Sequence, residues 1–446
     1  MRPIPLLLVA LSILASCSLP STSPAPTPTL APTPTPQPGL FVDASYRGGA
    51  INRLVFGSNT GPWQTVGLDQ PQLSREAGLS LIRWPGGNWG DENNVRPDQV
   101  DEFIALARSI GAEPSIHVRL FEGTPEQAAE LVRYVNIEKQ YGVRYWAIGN
   151  EPDLFVTKRG ADSYTVADYV RDFKAFRAAM KAVDPSILIL GPEISQYTGP
   201  TGYPVDQDGV NWMEGFLQGA GNEVDIVTIH RYPFGAPPAT PETLLADPPN
   251  WTIMINQLRE QVVRVTGREI PLAVTEANSD WTGRLDPESG TDSHRNALWW
   301  ADVLSRLIQA RTSMVAQFCL GAIQQQGIGM FGPIAYDGKP QPIFKVYQLY
   351  HKLGDQLVHA SSDDPTMPIM AAKRSDGALT IVLINHANRE RPAPLTIIGG
   401  TPSGAAEIWG FRDGQAVAQQ GTSDLRTPII LPAESVTLLI IPFTPS

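Results

Sequence analysis

The sequence has little cysteine. Cys17 and Cys319 are the only two in 446 residues, so neither a disulfide framework nor a cysteine-rich zinc site is available. It is also short of positive charge: 34 Lys and Arg stand against 45 Asp and Glu, a formal net charge of −11. That balance argues against a nucleic-acid partner, which asks for basic patches. Six histidines, at 117, 230, 294, 351, 359 and 386, form no HExxH or H-x-H pair, and no metal site is expected. No GxGxxG or Walker sequence opens a helix, which weakens nucleotide binding, and no cofactor is implied. Long apolar runs are missing too. The run from Ile4 to Ala15 is shorter than the ~20 residues that cross a bilayer.

That short run has a different use. Residues 1–16 combine one Arg, an apolar stretch and small residues, the layout of a secretory signal. Leu14-Ala15-Ser16-Cys17 resembles the bacterial lipobox, which implies lipidation of Cys17 and export to the cell surface or periplasmic face. On this reading a lipid anchor is the only membrane contact. Residues 20–38 hold eight Pro and five Thr with no charge, so 17–38 read as an extended linker that buries no core.

The chain beyond residue 38 has apolar material for a large core, with 42% hydrophobic residues in the sequence as a whole. From residue 53 eight short apolar runs alternate with amphipathic stretches. They are Arg53–Asn59, Leu79–Gly87, Glu113–Leu120, Tyr145–Pro152, Ile187–Ser195, Asp225–Phe234, Pro271–Ser279 and Ser313–Ala322. Val100, Phe103, Ile104, Ala107 and Ile110 keep helical spacing, as does Arg295–Ala310. Thr124 with Pro125 and Gln127 is a capping signature. Near-continuous apolar strands separated by helices indicate a parallel sheet buried on both faces. Eight such units predict an α/β fold, a (β/α)8 TIM barrel over 39–354. Strand-like runs with turn residues between them predict a β-sandwich domain over 355–446, with residues 40–51 as candidates to complete it.

Chemistry in such a barrel sits at the C-terminal strand ends. Strand four ends in Trp146-Ala-Ile-Gly-Asn-Glu-Pro152 and strand seven in Ala273-Val-Thr-Glu-Ala277. A charged side chain directly after an apolar run is costly without a purpose or partner. Two carboxyls facing one cavity are what glycosidic cleavage needs, one protonated to donate and one ionised to attack or shield the anomeric carbon.

The GNEP after strand four and the Thr-Glu of strand seven resemble the signatures of clan A glycoside hydrolases, the retaining barrels with glutamates on strands four and seven. The resemblance implies Glu151 as acid/base, Glu276 as nucleophile and Asn150 as the ligand of a sugar 2-hydroxyl. Leu81-Ile-Arg-Trp-Pro-Gly-Gly-Asn88 is similar to a segment of family 51 α-L-arabinofuranosidases. It implies that Arg83 holds the nucleophile and that Asn88 touches the glycone. The continuation after GNEP is also similar to families 39 and 79, which include β-xylosidases and β-glucuronidases. Strand eight, Gln317-Phe318-Cys319-Leu320, lacks the Trp that several clan members place there.

The neighbouring residues fit this chemistry. Arg83 should lower the pKa of an adjacent carboxylate and keep Glu276 ionised. Tyr232 is placed to hydrogen-bond the nucleophile. His230 is placed to bind a hydroxyl, or equally to sit as a core histidine. His117 points inward by the same argument. Trp84, Trp89, Trp146 and Trp281 lie near strand ends, where aromatic faces pack on sugars, although at least two are expected in the core. Glu193 is the rival carboxylate. Asp91, Glu92, Glu122, Asp153 and Asp280 are others, fit for binding hydroxyls. Cys319 is expected to be inert core.

The reading is thus an exported retaining glycosidase acting on plant-type or microbial poly- or oligosaccharides. Arabinofuranosidase, xylosidase, glucuronidase and glucanase types all stand open. A retaining pair implies carboxyl groups roughly 5–5.5 Å apart. Two alternatives remain, a non-catalytic carbohydrate-binding lipoprotein on the same barrel and a metal-dependent barrel hydrolase.

Overall fold

The computed structural model describes residues 37–446 apart from 65, 66, 68, 322–331 and 335–338. The signal segment, Cys17 and nearly all of the linker therefore lie outside the described residues. No helix among the described residues is long and apolar enough to cross a membrane.

Strand β1 (Leu40–Asp43) precedes the barrel. A closed parallel barrel then forms from β2 (Gly57–Asn59), β3 (Leu81–Trp84), β4 (Glu113–Val118), β5 (Tyr145–Ile148), β6 (Leu188–Ile194), β7 (Ile226–Arg231), β8 (Leu272–Ala277) and β9 (Met314–Gln317). Every one of the eight apolar runs supplies one strand. The helices arise where the spacing places them. Pro97–Ile110 buries Val100, Phe103, Ile104, Ala107 and Ile110, and Pro125–Val132 starts on a reciprocal Thr124–Gln127 capping box. His294–Gln309 is sunk between the barrel and the C-terminal strands, burying residues on nearly its whole circumference.

Alternation along the strands sets what fills the barrel. Leu81, Tyr145, Ala147, Leu190, Ile226, Ala273, Met314 and Ala316 form its small apolar interior. Ile82 and Trp84, in the opposite phase, join the larger core beneath the helices. Above the apolar interior the inward positions turn polar. There the ladder breaks its register three times, at Gly191/Ile194, at Ile229/His230 and at Val274/Ala277. Irregularities of this kind re-aim side chains. Here they lie beside Glu193, His230 and Glu276.

Past the barrel the chain builds an eight-stranded sheet and two two-stranded ribbons. β1 sits inside that sheet, antiparallel to Gln356–Ser362 and parallel to Leu395–Ile398. Its core gathers Val42, Ala371, Leu379, Ile381, Leu383, Leu439 and Ile441.

Candidate active site

The C-terminal ends of the strands bring five charged side chains into one buried cluster. Glu151 follows β5, Glu193 ends β6, His230 ends β7, Glu276 ends β8 and Arg83 projects from β3. Arg83 is 1% exposed and holds the cluster together. Its Nη1 donates to Glu276 Oε2 at 3.1 Å and to Asn59 Oδ1 at 2.8 Å. Its Nη2 donates to Glu193 Oε2 and Asn150 Oδ1, both at 2.8 Å. Tyr232 Oη donates to Glu276 Oε1 at 2.6 Å, so both oxygens of Glu276 face donors. His230 lies between carboxylates, with Nδ1 3.1 Å from Glu151 Oε1 and Nε2 3.0 Å from Glu193 Oε2. One oxygen each of Glu151 and Glu276 and a nitrogen of His230 fall within 4.8 Å of one another.

These contacts set the protonation states. Burial pushes the Glu193 carboxyl up, but Arg83 and the His230 hydrogen bond outweigh it and hold the group down at about 2. Burial pulls the His230 imidazole down, but the charge of Glu276 and the contacts with Glu151 and Glu193 raise it to about 9. Glu276 departs from the sequence expectation. Arg83 and His230 do pull its carboxyl down, yet burial, joined by the Glu151 charge, pushes it up and prevails. Three carboxyls against two cations leave a neutral cluster one proton to hold, because unbalanced buried charge is costly. Glu193, held well below the usual carboxylate range, is not its carrier. The same trio of Glu151, His230 and Glu276 does not fit a metal ion, since both ring nitrogens of His230 are engaged by carboxylates and the Arg83 cation lies alongside.

Around this centre the other sequence candidates divide. Asn150 is buried against Arg83, and its Nδ2 donates to Asn88 Oδ1 at 3.3 Å. Asn88 is exposed at the rim, where it also accepts from Arg159 at 2.8 Å. Trp281 stands at the rim too, 55% exposed, with Lys158 Nζ 5.9 Å from its ring centre. Trp84 does not reach the site. It faces the helix side of β3 and stacks on Phe103 at 5.0 Å and 7°, because strand alternation gives Arg83 the inward position. Trp146 is likewise core, its Nε1 donating to the Val143 carbonyl.

Of the loop carboxylates, Asp91, Asp153 and Asp280 are engaged by neighbouring backbone or side-chain donors. Asp91 accepts from the backbone N–H groups of Leu120, Phe121 and Asn150, and so ties the rim above β3 to the ends of β4 and β5. Asp153 accepts from Ser195 N–H and Oγ–H. Burial, against those hydrogen bonds and with the nearby Glu151 charge, lifts it to about 7. Asp280 accepts from Thr282. His117 is buried below Gly90, where an added Cβ would come within 1.8 Å of its Nε2, and burial pulls its imidazole well down. Cys319 is buried, its thiol donating to the Gly321 carbonyl.

Three contributors escaped the sequence reading. Asn59 anchors Arg83, and its Nδ2 donates to the carbonyls of Thr275 and Ala316. Its signal was a lone amide closing the apolar run of strand one. Thr275 Oγ1 donates to Glu193 at 2.9 Å. Trp63 packs on Phe318 at 5.6 Å and donates to the Gly86 carbonyl, bringing an indole beside the end of strand eight.

No protein-family model matches the chain. Its sequence is 25% identical over 253 residues to intracellular exo-α-(1→5)-L-arabinofuranosidase 1 of Bacillus subtilis (strain 168), covering 43% of this chain and 48% of that protein. It is 24% identical over 267 residues to the β-xylosidase of Geobacillus stearothermophilus, covering 55% and 49%. The chain thus spans about half the length of these curated relatives. Among solved structures, CelM2, a bifunctional glucanase-xylanase from a metagenome library, superposes with a TM-score of 0.72 at 18% identity, covering 92% of this chain and 100% of that one. At that identity the likeness is one of fold, and it extends through the barrel and the strands beyond it.

Proposed function

We propose that this protein hydrolyses glycosidic bonds with retention of configuration, Glu151 serving as acid/base and Glu276 as nucleophile. The observation that carries the reading is the approach of one oxygen of each carboxyl to within 4.8 Å. An approach this near for one oxygen of each residue suits the ~5–5.5 Å of a retaining pair better than the ~6.5–9.5 Å of an inverting pair. In the first step a Glu276 oxygen bonds to the anomeric carbon, the glycosidic C–O bond breaks, and the Glu151 proton goes to the departing oxygen. In the second, Glu151 takes a proton from water, whose oxygen replaces Glu276 on the sugar. Arg83 and Tyr232 orient the nucleophile, Asn150 and Asn88 face the glycone, and Trp281 offers a flat apolar surface at the rim.

The names of the relatives favour a pentose glycone, foremost an α-L-arabinofuranoside. Export and lipidation at Cys17 rest on the layout of the first 17 residues. A panel of 4-nitrophenyl α-L-arabinofuranoside, β-D-xyloside, β-D-glucuronide and β-D-glucoside tests the reading. Nitrophenol release is expected, fastest from the arabinofuranoside and undiminished by EDTA. Saturable binding of these glycosides without release from any would replace the hydrolase with a binding protein.

A further inference from the structure

Glu193 is fully buried within the charged cluster, closed to solvent. It occupies a costly position. Its backbone is left-handed, φ 56°, as is that of Glu151, φ 50°, a region that L-residues rarely adopt. The two strained residues are tied together, Glu151 N–H donating to the Glu193 carbonyl at 2.9 Å. Glu193 N–H donates in turn to Thr228 Oγ1 at 2.9 Å. Its Oε2 alone accepts from three donors on three strands, Arg83 Nη2, His230 Nε2 and Thr275 Oγ1. Strain that so many partners over-determine points to function.

We propose that Glu193 is a positioning residue for the acid/base. By binding the Nε2–H of His230 it fixes the ring as a cation whose Nδ1–H is aimed at Glu151 Oε1, leaving Glu151 Oε2 to carry the transferred proton. The inference rests on the hydrolase reading. Both ring nitrogens can donate only in the imidazolium form, and each lies about 3 Å from a carboxylate oxygen. Glu276 Oε2 stands 4.0 Å from Nδ1. The Arg83 and His117 side chains are the basic groups facing the cluster. When Glu151 gives its proton to the leaving oxygen, the Nδ1–H bond, already donated by a cation, gains a charged acceptor as well and shortens. No proton passes to or from His230, so the proton balance of the step is unchanged.

The carboxylates that raise His230 to about 9 place its loss of charge on the alkaline limb of the pH–rate profile. Glu193→Gln removes one of them, so His230 deprotonates earlier and the limb moves toward lower pH, by about one unit. With aryl glycosides that the wild type cleaves, kcat/KM should fall about 10–100-fold for phenyl leaving groups. For 2,4-dinitrophenyl groups, which need no protonation, it should hold nearly constant. His230→Asn should displace the limb, leaving only the part set by loss of the acid proton itself, and it provides the reading if the Gln variant does not fold. A Gln variant with the wild-type limb and an equal loss for both leaving groups would overturn the proposal, as would an unmoved limb in His230→Asn. Wild-type protein that cleaves nothing would instead overturn the hydrolase reading itself.

Discussion

Glu276→Ala is expected to lower hydrolysis by roughly four to six orders of magnitude, the scale seen when a nucleophile is removed from a constellation that acts as a unit. The residue is not needed for packing against apolar neighbours. Its oxygens face Tyr232 and Arg83, and truncation opens a small polar hollow beneath the anomeric carbon. Azide fits such a hollow. With an activated aryl glycoside, its nitrogen should bond to the anomeric carbon from the vacated side as the aryl oxygen leaves. The product is then a glycosyl azide of inverted configuration, formed at a rate that rises with azide concentration. Chromatography and NMR of the product check this. Unaltered turnover in the variant would remove Glu276 from the mechanism.

Arg83→Met should be the most destabilising single change at the site. It removes the cation that Glu193 and Glu276 share, leaving buried negative charge without its partner, which costs about 3–5 kcal/mol. Hydrolysis should fall at least ~10²–10³-fold as well, because Glu276 loses a fixed donor. The stability effect has a pH signature. In the wild type the Glu193 carboxyl is held at about 2, below its unfolded value, so its stabilisation is present above the unfolded pKa and is lost as pH falls toward 2. Without Arg83 the same buried carboxyl is favoured in its neutral form. The gap between wild type and variant in denaturant midpoint should therefore be widest near neutral pH and shrink steadily on acidification. A gap independent of pH would mean that Arg83 matters for packing alone.

The barrel was legible because its strands are buried on both faces, so each reads as an apolar run bounded by turns. Glu151 and Glu276 were legible for the converse reason, as lone charges closing such runs. The phase of each strand was harder to read. Trp84 and Arg83 are adjacent, and only the pairing register decides which of them faces the cavity. The shift of register at Val274/Ala277 likewise leaves no mark in composition. Glu193 was visible as a carboxylate, but not its three donors, which come from β3, β7 and β8. In the C-terminal sheet Ala418–Ser423 went unread because it is an exposed, polar strand with no apolar alternation. β1 joins that sheet by pairing across more than 300 residues of chain; the stretch 40–51 was a candidate for it, but its partners and register were not readable locally.

The anomeric configuration of the first product formed tests the central claim most directly. Proton NMR of wild-type protein turning over an aryl glycoside, read before mutarotation, should show the substrate's own configuration in the released sugar, as two successive displacements through Glu276 require. The opposite anomer appearing first would show a single displacement by water, and the assignment of Glu276 as a nucleophile bonded to the sugar would be wrong.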